Sequence, residues 1–148
     1  MKIHIKIFNH LTTVELYEIL KARAEVFVVE QNCVYQDLDE KDKKACHVWI
    51  EGDGHIKAYL RVLERGVTFE EVSIGRVLTT ERGKGYGNEI LKAGIDVAKD
   101  RFQAEAIRIE AQCYAKGYYE KHGFRQCSEE FLEDGIPHIQ MLWETSDT

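Results

Sequence analysis

The hexapeptide Arg82-Gly83-Lys84-Gly85-Tyr86-Gly87 lies between a strand-like and a helix-like stretch of the chain. Residues 72–79 before it are apolar and β-branched, and residues 88–102 after it carry apolar side chains at helical spacing. Its glycines let the backbone approach a ligand closely, and the free N–H groups at a helix start attract anions. The hexapeptide therefore predicts a binding site for a phosphorylated molecule.

The spacing of these glycines excludes two common phosphate-binding motifs. The chain contains no G-x-x-x-x-G-K-[ST] string, which a P-loop requires. A dinucleotide fingerprint needs G-x-G-x-x-G in the first βαβ unit, whereas G-x-G-x-G stands here in mid-chain. Taken alone, the hexapeptide is equally compatible with an ordinary glycine-rich loop.

A second string, residues 112–124, follows the next strand-like stretch and reads QCYAKGYYEKHGF. Together the two strings resemble the GCN5-related N-acetyltransferase (GNAT) superfamily. Arg82, Gly85 and Gly87 match the R/Q-x-x-G-x-G/A turn of that family, which grips the pyrophosphate of coenzyme A. Tyr119 begins the later Y-x-x-x-G-F match, which ends at Gly123-Phe124. The resemblance covers the chain from about Ile3 to Trp143.

A narrower resemblance is carried by three further strings near the two ends of the chain. Residues 23–33 read RAEVFVVEQNC, residues 35–39 read YQDLD and residues 133–139 read EDGIPHI. These strings are similar to those of the ElaA-type branch of the superfamily.

The resemblance implies an α/β fold, the GNAT acyl-CoA N-acyltransferase fold, as one domain over residues 1–148. Its mixed β-sheet would be splayed between the strands at 72–79 and 107–112, with helices on both faces. Acetyl-coenzyme A would be the co-substrate and would insert into this wedge without a metal ion. The cofactor-binding residues that the resemblance implies are Val77, Leu78, Thr79, Arg82, Gly83, Lys84, Gly85, Tyr86, Gly87, Asn88, Gln112 and Tyr119. Gln112 departs from the asparagine that many relatives carry there.

Tyr119 is the predicted general acid for the departing thiolate, because a phenol with a pKa near 10 matches a thiol. Tyr114 and Tyr118 are competitors, but only Tyr119 stands four residues before Gly123. The general base stays open between a water relay and four side chains: Glu30, Glu110, His47 and His138.

The acceptor pocket is predicted by resemblance to the ElaA-type layout, and six residues are assigned to it: Arg23, Phe27, Glu30, Tyr35, Arg76 and His138. Arg76 has two alternatives, since it can bind a carboxylate of the acceptor or pair with Asp37 or Asp39.

Composition limits the function classes. The net charge of −6 argues against a nucleic-acid partner and is compatible with a cationic acceptor. No membrane-spanning apolar run or signal-peptide core is visible. The four cysteines show no paired or metal-like spacing, which predicts free, mostly buried thiols in the cytoplasm. A homodimer is a further possibility.

The patterns predict the order β-α-β-β-β-α-β-α-β-β, with Ile3, Ile5 and Ile7 on the buried face of the first strand. The predicted function is an N-acetyltransferase that moves the acetyl group of acetyl-coenzyme A to a small-molecule or peptide primary amine by direct attack in a ternary complex. A ping-pong route through Cys113 ranks lower, because no histidine–acid pair is evident beside it. The rival class is a non-catalytic module that binds or senses acyl-coenzyme A.

Overall fold

Eight strands form one mixed sheet in the computed structural model, which describes residues 1–145. The spatial order is β1-β2-β3-β4-β5-β8-β6, and β7 pairs with β8. The strands are β1 Lys2–Ile7, β2 Cys46–Gly52, β3 His55–Leu63, β4 Val72–Thr79, β5 Ala106–Gln112, β6 Arg125–Gln126, β7 Phe131–Glu133 and β8 Ile136–Glu144. Residues 146–148 of the predicted domain lie outside the described part.

Helices cover both faces of this sheet, as predicted. Helix α1, Thr13–Arg23, begins with a capping box between Thr12 and Glu15 and continues as a π-helix over Ala24–Glu30. Helix α2 is Tyr86–Phe102 and α3 is Lys116–Glu120, preceded by a 3-10 turn.

Two apolar cores hold these layers together. The larger core packs α2 and α3 against one face of the sheet, and the smaller one packs α1 and the π-helix against the other. Gly94 lets α2 lie close to the sheet, because a Cβ there would stand 2.7 Å from a methyl carbon of Leu60. The sheet therefore lies between two helical layers and packs against both.

The sheet splits between β4 and β5, which confirms the predicted splay. These parallel strands pair only at Val72 with Ile107 and at Ser73 with Arg108. Further along, β4 stays paired with β3 up to Thr79, and β5 stays paired with β8 up to Gln112. A wedge therefore opens in the middle of the sheet.

Strand β4 contains a bulge beside this wedge. Its register with β3 shifts between Tyr59 and Arg61, and Arg76 adopts a left-handed conformation with φ 52°. The extra residue reverses the alternation of side chains: Ile74 lies in the larger core, but Leu78 lies in the smaller core on the opposite face.

Three expectations about the fold were wrong in part. Strand β7 was missed, although Asp134 and Gly135 both have positive φ in its tight turn to β8. Ile3 and Ile5 are 46% and 45% exposed rather than buried, because β1 is an edge strand. All four cysteines are free, but only Cys46 is buried.

Candidate active site

A cleft of about 1140 Å³ occupies the wedge between β4 and β5. Tyr118 and Tyr119 line it from one helical layer, and Phe27, Glu30 and Gln31 line it from the other. We call residues 79–88 with α3 the glycine-turn half. The ion-pair half is residues 23–42 with Arg61, Arg76, Glu110, Glu133 and His138.

The glycine turn presents free backbone donors to the cleft. Gly83 and Gly85 have φ values of 74° and 81°, and Gly85 is the N-cap of α2 without a side-chain cap. The N–H groups of Tyr86, Gly87 and Asn88 stand in the first helical turn, which has no intrahelical acceptors for them. A Cβ at Gly83 or Gly85 would meet no protein atom within 4 Å. Space for an anion therefore lies directly against these donors.

Gly87 has a second role, which the sequence did not indicate. The hydroxyl of Tyr118 donates to the Gly87 carbonyl at 2.5 Å, and a Cβ at Gly87 would stand 3.4 Å from the Tyr118 ring. The third glycine thus lets α3 dock on the start of α2, which joins the two sequence motifs physically.

The remaining predicted cofactor residues also line the cleft. Val77, Leu78 and Thr79 form the unpaired edge of β4, while the Leu78 side chain packs in the smaller core. The Arg82 side chain is exposed and lies 3.6 Å from Glu30 across the cleft mouth. Gln112 donates from its amide to Gln31 at 3.2 Å. Lys84 and Asn88 complete the lining at the turn.

Three tyrosines near the cleft differ in what their hydroxyls contact. Tyr119 is 8% exposed and lines the cleft, and its hydroxyl has no hydrogen-bond partner within residues 1–145. The Tyr118 hydroxyl is occupied by Gly87, and Tyr114 is 78% exposed. Burial raises the pKa of Tyr119, so it keeps its proton. Of these three tyrosines, Tyr119 is thus the one whose ring is buried and whose hydroxyl is not occupied by a protein group within residues 1–145.

Arg23 lies outside the lining of the cleft. Its side chain is fully buried, donates to Asp37 at 2.9 Å and to Asp42 at 2.6 Å, and stands beneath the loop that follows the π-helix. Its side-chain hydrogen bonds within residues 1–145 go to Asp37 and Asp42. We therefore assign Arg23 to loop structure rather than to the acceptor.

Arg76 lines the cleft and makes the ion pairs that were one of its two alternatives. Its Nε donates to Asp37 Oδ1 at 2.7 Å, and Nη2 lies 3.4 Å from Asp39 Oδ2. The Tyr35 ring lies beside the guanidinium, and its hydroxyl donates to Asp37 at 2.9 Å. Burial, with the nearby carboxylate, raises the pKa of Tyr35 to about 12.

Other side chains of the ion-pair half are better placed to meet a ligand. Phe27 contributes an apolar wall, and Glu30 stands at the mouth opposite Arg82. His138 donates from Nδ1 to the Ile136 carbonyl at 2.7 Å, so a neutral ring leaves Nε2 as an acceptor.

The two remaining base candidates, His47 and Glu110, differ in their access to the cleft. His47 is fully buried, and both ring nitrogens are used, by Tyr59 at 2.7 Å and by the Asp42 carbonyl at 2.9 Å. Glu110 is an exposed residue of β5 that lines the cleft, where the partial loss of water around its carboxyl and the neighbouring Glu133 raise its pKa to about 7. A carboxylate with this pKa is suited to accept a proton at neutral pH.

The family model described as "Acetyltransferase (GNAT) domain" matches residues 11–145. The chain belongs to the GNAT family of acetyltransferases. A UPF0039 family protein of Mycobacterium tuberculosis is 44% identical over 133 residues, which cover 86% of this chain and 83% of that protein.

Two solved structures of similar proteins indicate the branch of the GNAT family. An acyl-CoA N-acyltransferase from Pseudomonas aeruginosa superposes with a TM-score of 0.91 at 35% identity, over 97% of this chain and 99% of that one. Escherichia coli ElaA superposes with a TM-score of 0.90 at 32% identity, over the same shares. This GNAT enzyme is of the ElaA type, and acyl-coenzyme A is its co-substrate. The comparisons support an enzyme over the non-catalytic module.

Several residues of this GNAT site were missed from the sequence. The buried Asp42 and Arg61 are joined at 2.9 Å beneath the loop, and a charged residue carries no sequence signal of burial. Glu133 reaches the cleft from β7, and the Asp134-Gly135 turn signal would have located it. Gln31 gave no signal, because its partner Gln112 is remote in sequence.

Within residues 1–145 no helix is both long and apolar enough to cross a membrane, and no three His, Cys, Asp or Glu side chains cluster as metal ligands.

Proposed function

We propose that this GNAT enzyme transfers the acetyl group of acetyl-coenzyme A to a primary amine in the cytoplasm, by direct attack within a ternary complex. One observation carries the proposal. Tyr119, whose hydroxyl has no hydrogen-bond partner within residues 1–145, lines the same cleft as the glycine turn and Glu110. An anion anchor, a proton donor and a proton acceptor thus share one space.

Acetyl-coenzyme A would occupy the glycine-turn half. Its pyrophosphate would accept hydrogen bonds from the first N–H groups of α2, where the helix dipole favours negative charge. The pantetheine arm would follow the unpaired edge of β4 at Val77, Leu78 and Thr79. The thioester would then lie near Tyr119, at the junction of the two halves.

The amine would enter from the ion-pair half. At neutral pH an aliphatic amine is an ammonium, so one proton must leave before the nitrogen can attack. Glu110 would take that proton and release it to solvent. Because burial and Glu133 raise the pKa of Glu110 to about 7, the carboxylate is a stronger base than an ordinary glutamate.

Attack of the neutral amine on the acyl carbon forms a C–N bond and places negative charge on the carbonyl oxygen. Backbone N–H groups on the free edge of β4 would stabilise that oxyanion. As the C–S bond breaks, the thiolate takes a proton from Tyr119. The tyrosinate then takes the excess proton from the new amide nitrogen, which leaves the amide, free coenzyme A and the original phenol.

The test is a screen of small amines and peptide N-termini with acetyl-coenzyme A, followed by thiol release and by mass spectrometry of the amine. We expect at least one amine to yield acetylated product and free thiol in equal amounts. Tight binding of acetyl-coenzyme A without transfer to any amine would instead favour the non-catalytic module.

A further inference from the structure

The bulge in β4 is held in place by a loop that precedes it by almost forty residues. Arg76 is a non-glycine residue with φ 52° at the first position of this bulge, where a left-handed bulge ordinarily has glycine. A left-handed L-residue is intrinsically unfavourable, so contacts of its side chain must compensate. Those contacts all lead to residues 35–39.

Asp37 is the centre of these contacts. Its Oδ1 accepts from Arg76 Nε at 2.7 Å and from the Tyr35 hydroxyl at 2.9 Å, and its carbonyl accepts from Arg76 Nη2 at 2.9 Å. Its other carboxylate oxygen accepts from the fully buried Arg23 at 2.9 Å. Asp37 is therefore fixed to α1 on one side and to the bulge on the other.

The bulge decides which backbone groups of β4 face the wedge. Beyond Ser73 the strand has no partner on its β5 side, so the groups that point there are free. The inserted residue reverses the alternation, which is visible in the opposite cores reached by Ile74 and Leu78. Without the left-handed turn at Arg76, the N–H groups of Val77 and Leu78 would change direction.

We infer that Asp37 and Arg76 are positioning residues, which hold the β4 bulge so that its backbone N–H groups meet the thioester carbonyl. The inference rests on the proposed function. The ion pair also links the loop that carries Tyr35 to the backbone of the thioester subsite. The acceptor side of the cleft and the acyl group are therefore positioned together.

Kinetics of two variants with a responsive amine test the role of the bulge. Arg76→Ala removes the ion pair and disfavours the left-handed backbone, whereas Arg76→Gly removes the ion pair but permits that backbone. We expect kcat to fall at least about tenfold in Arg76→Ala and to be about fivefold higher in Arg76→Gly than in Arg76→Ala. Coenzyme A affinity should stay within about twofold in both, because the glycine turn is unchanged. Equal kcat values for the two variants would overturn the inference.

An NMR experiment that needs no acceptor tests this inference independently of the proposed function. Acetyl-coenzyme A and coenzyme A differ only at the thioester, so the difference between their complexes in the amide NMR spectrum reports the carbonyl. We expect a difference at Val77 or Leu78 in the wild type, its loss in Asp37→Asn, and its retention in Glu71→Gln. Glu71→Gln is the matched control, since it weakens a comparable ion pair with Arg108 at the paired start of β4.

If Asp37→Asn does not fold because Arg23 loses one of its two buried charge partners, the same spectra of Arg76→Ala and Arg76→Gly decide the question. Arg76→Gly should then retain more of the difference than Arg76→Ala. A wild-type spectrum without any difference at the bulge, or one that persists in Arg76→Ala, would refute the positioning role. These spectra would still test the positioning role if no amine reacted.

Discussion

The glycine-turn half of the cleft offers its ligand mainly backbone groups, whereas the ion-pair half is built from charged side chains that bind one another. In the first half, Gly83 and Gly85 expose helix N–H groups to open space. In the second, Arg23, Arg61 and Arg76 each bind aspartates of one loop. The first half therefore suits a ligand that always carries a phosphate group. In the second half the ion pairs fix the positions of the side chains without a bound ligand.

The charged network is stiff because its ion pairs are shielded from water. Although burial alone would raise the pKa of Asp39, the guanidinium groups of Arg61 and Arg76 lower it well below its usual range. The Asp39 carboxylate therefore stays ionised across the physiological range. Removal of one partner from such a buried pair is expected to cost about 3–5 kcal/mol of stability.

The largest expected effect lies where the two halves meet. Tyr119→Phe removes the proton donor but keeps the ring packed against Phe124. We expect kcat to fall by roughly 10²-fold or more, with coenzyme A affinity nearly unchanged. Steady-state kinetics should show milder effects for Tyr118→Phe and Tyr114→Phe. A near wild-type kcat for Tyr119→Phe would mean that solvent or another group protonates the thiolate.

The next effect concerns the ion-pair half. Glu110→Gln should lower kcat/KM by roughly 10²-fold at neutral pH, because the base is lost. In the wild type kcat/KM should decrease as pH falls below about 7, where the Glu110 carboxylate gains a proton. Glu133→Gln removes a neighbouring negative charge and should move this limb to lower pH. If the acidic limb of the pH profile does not move in Glu133→Gln, a group other than Glu110 titrates there.

A smaller effect is expected in the glycine-turn half. Gly85→Val places a side chain in the anion space and should weaken coenzyme A binding at least about tenfold, or ~1.4 kcal/mol. Gly54→Val is the matched control, since Gly54 has φ 75° in the β2–β3 turn and also has no protein atom near its Cβ position. Calorimetry should show the loss in Gly85→Val alone. Equal affinities in the two folded variants would remove the turn from cofactor binding.

The smallest effect tests the contact between the halves at Gln112. Gln112→Ala breaks the hydrogen bond to Gln31 and should weaken coenzyme A binding only severalfold, since a net hydrogen bond contributes about 0.5–1.5 kcal/mol. Gln31→Ala provides the comparison from the other side. A tenfold loss in Gln112→Ala but not in Gln31→Ala would show that Gln112 touches the cofactor directly.

The local structure of the glycine-turn half could be predicted from the sequence, because glycine turns and helix starts have short sequence signals. The turn, the start of α2, the splay and the family were all accessible from short strings whose residues act together. The long amphipathic helix and the Asp53-Gly54 hairpin were likewise local features.

The ion-pair half was less accessible because its contacts join distant residues. Asp37 meets Arg23 and Arg76, and no periodicity marks an aspartate as buried. The left-handed Arg76 gave no signal either, since the sequence has arginine where such a bulge favours glycine. Exposure of Ile3 and Ile5 depends on the sheet order, which places β1 at an edge.

The central claim is that the two halves hold acetyl-coenzyme A and the acceptor at the same time. Initial rates with both substrates varied, for the best amine of the screen, test it most directly. The account predicts intersecting double-reciprocal lines and no acetylated protein after incubation with acetyl-coenzyme A alone. Parallel lines, together with an acetyl group on Cys113 or another side chain by mass spectrometry, would contradict it.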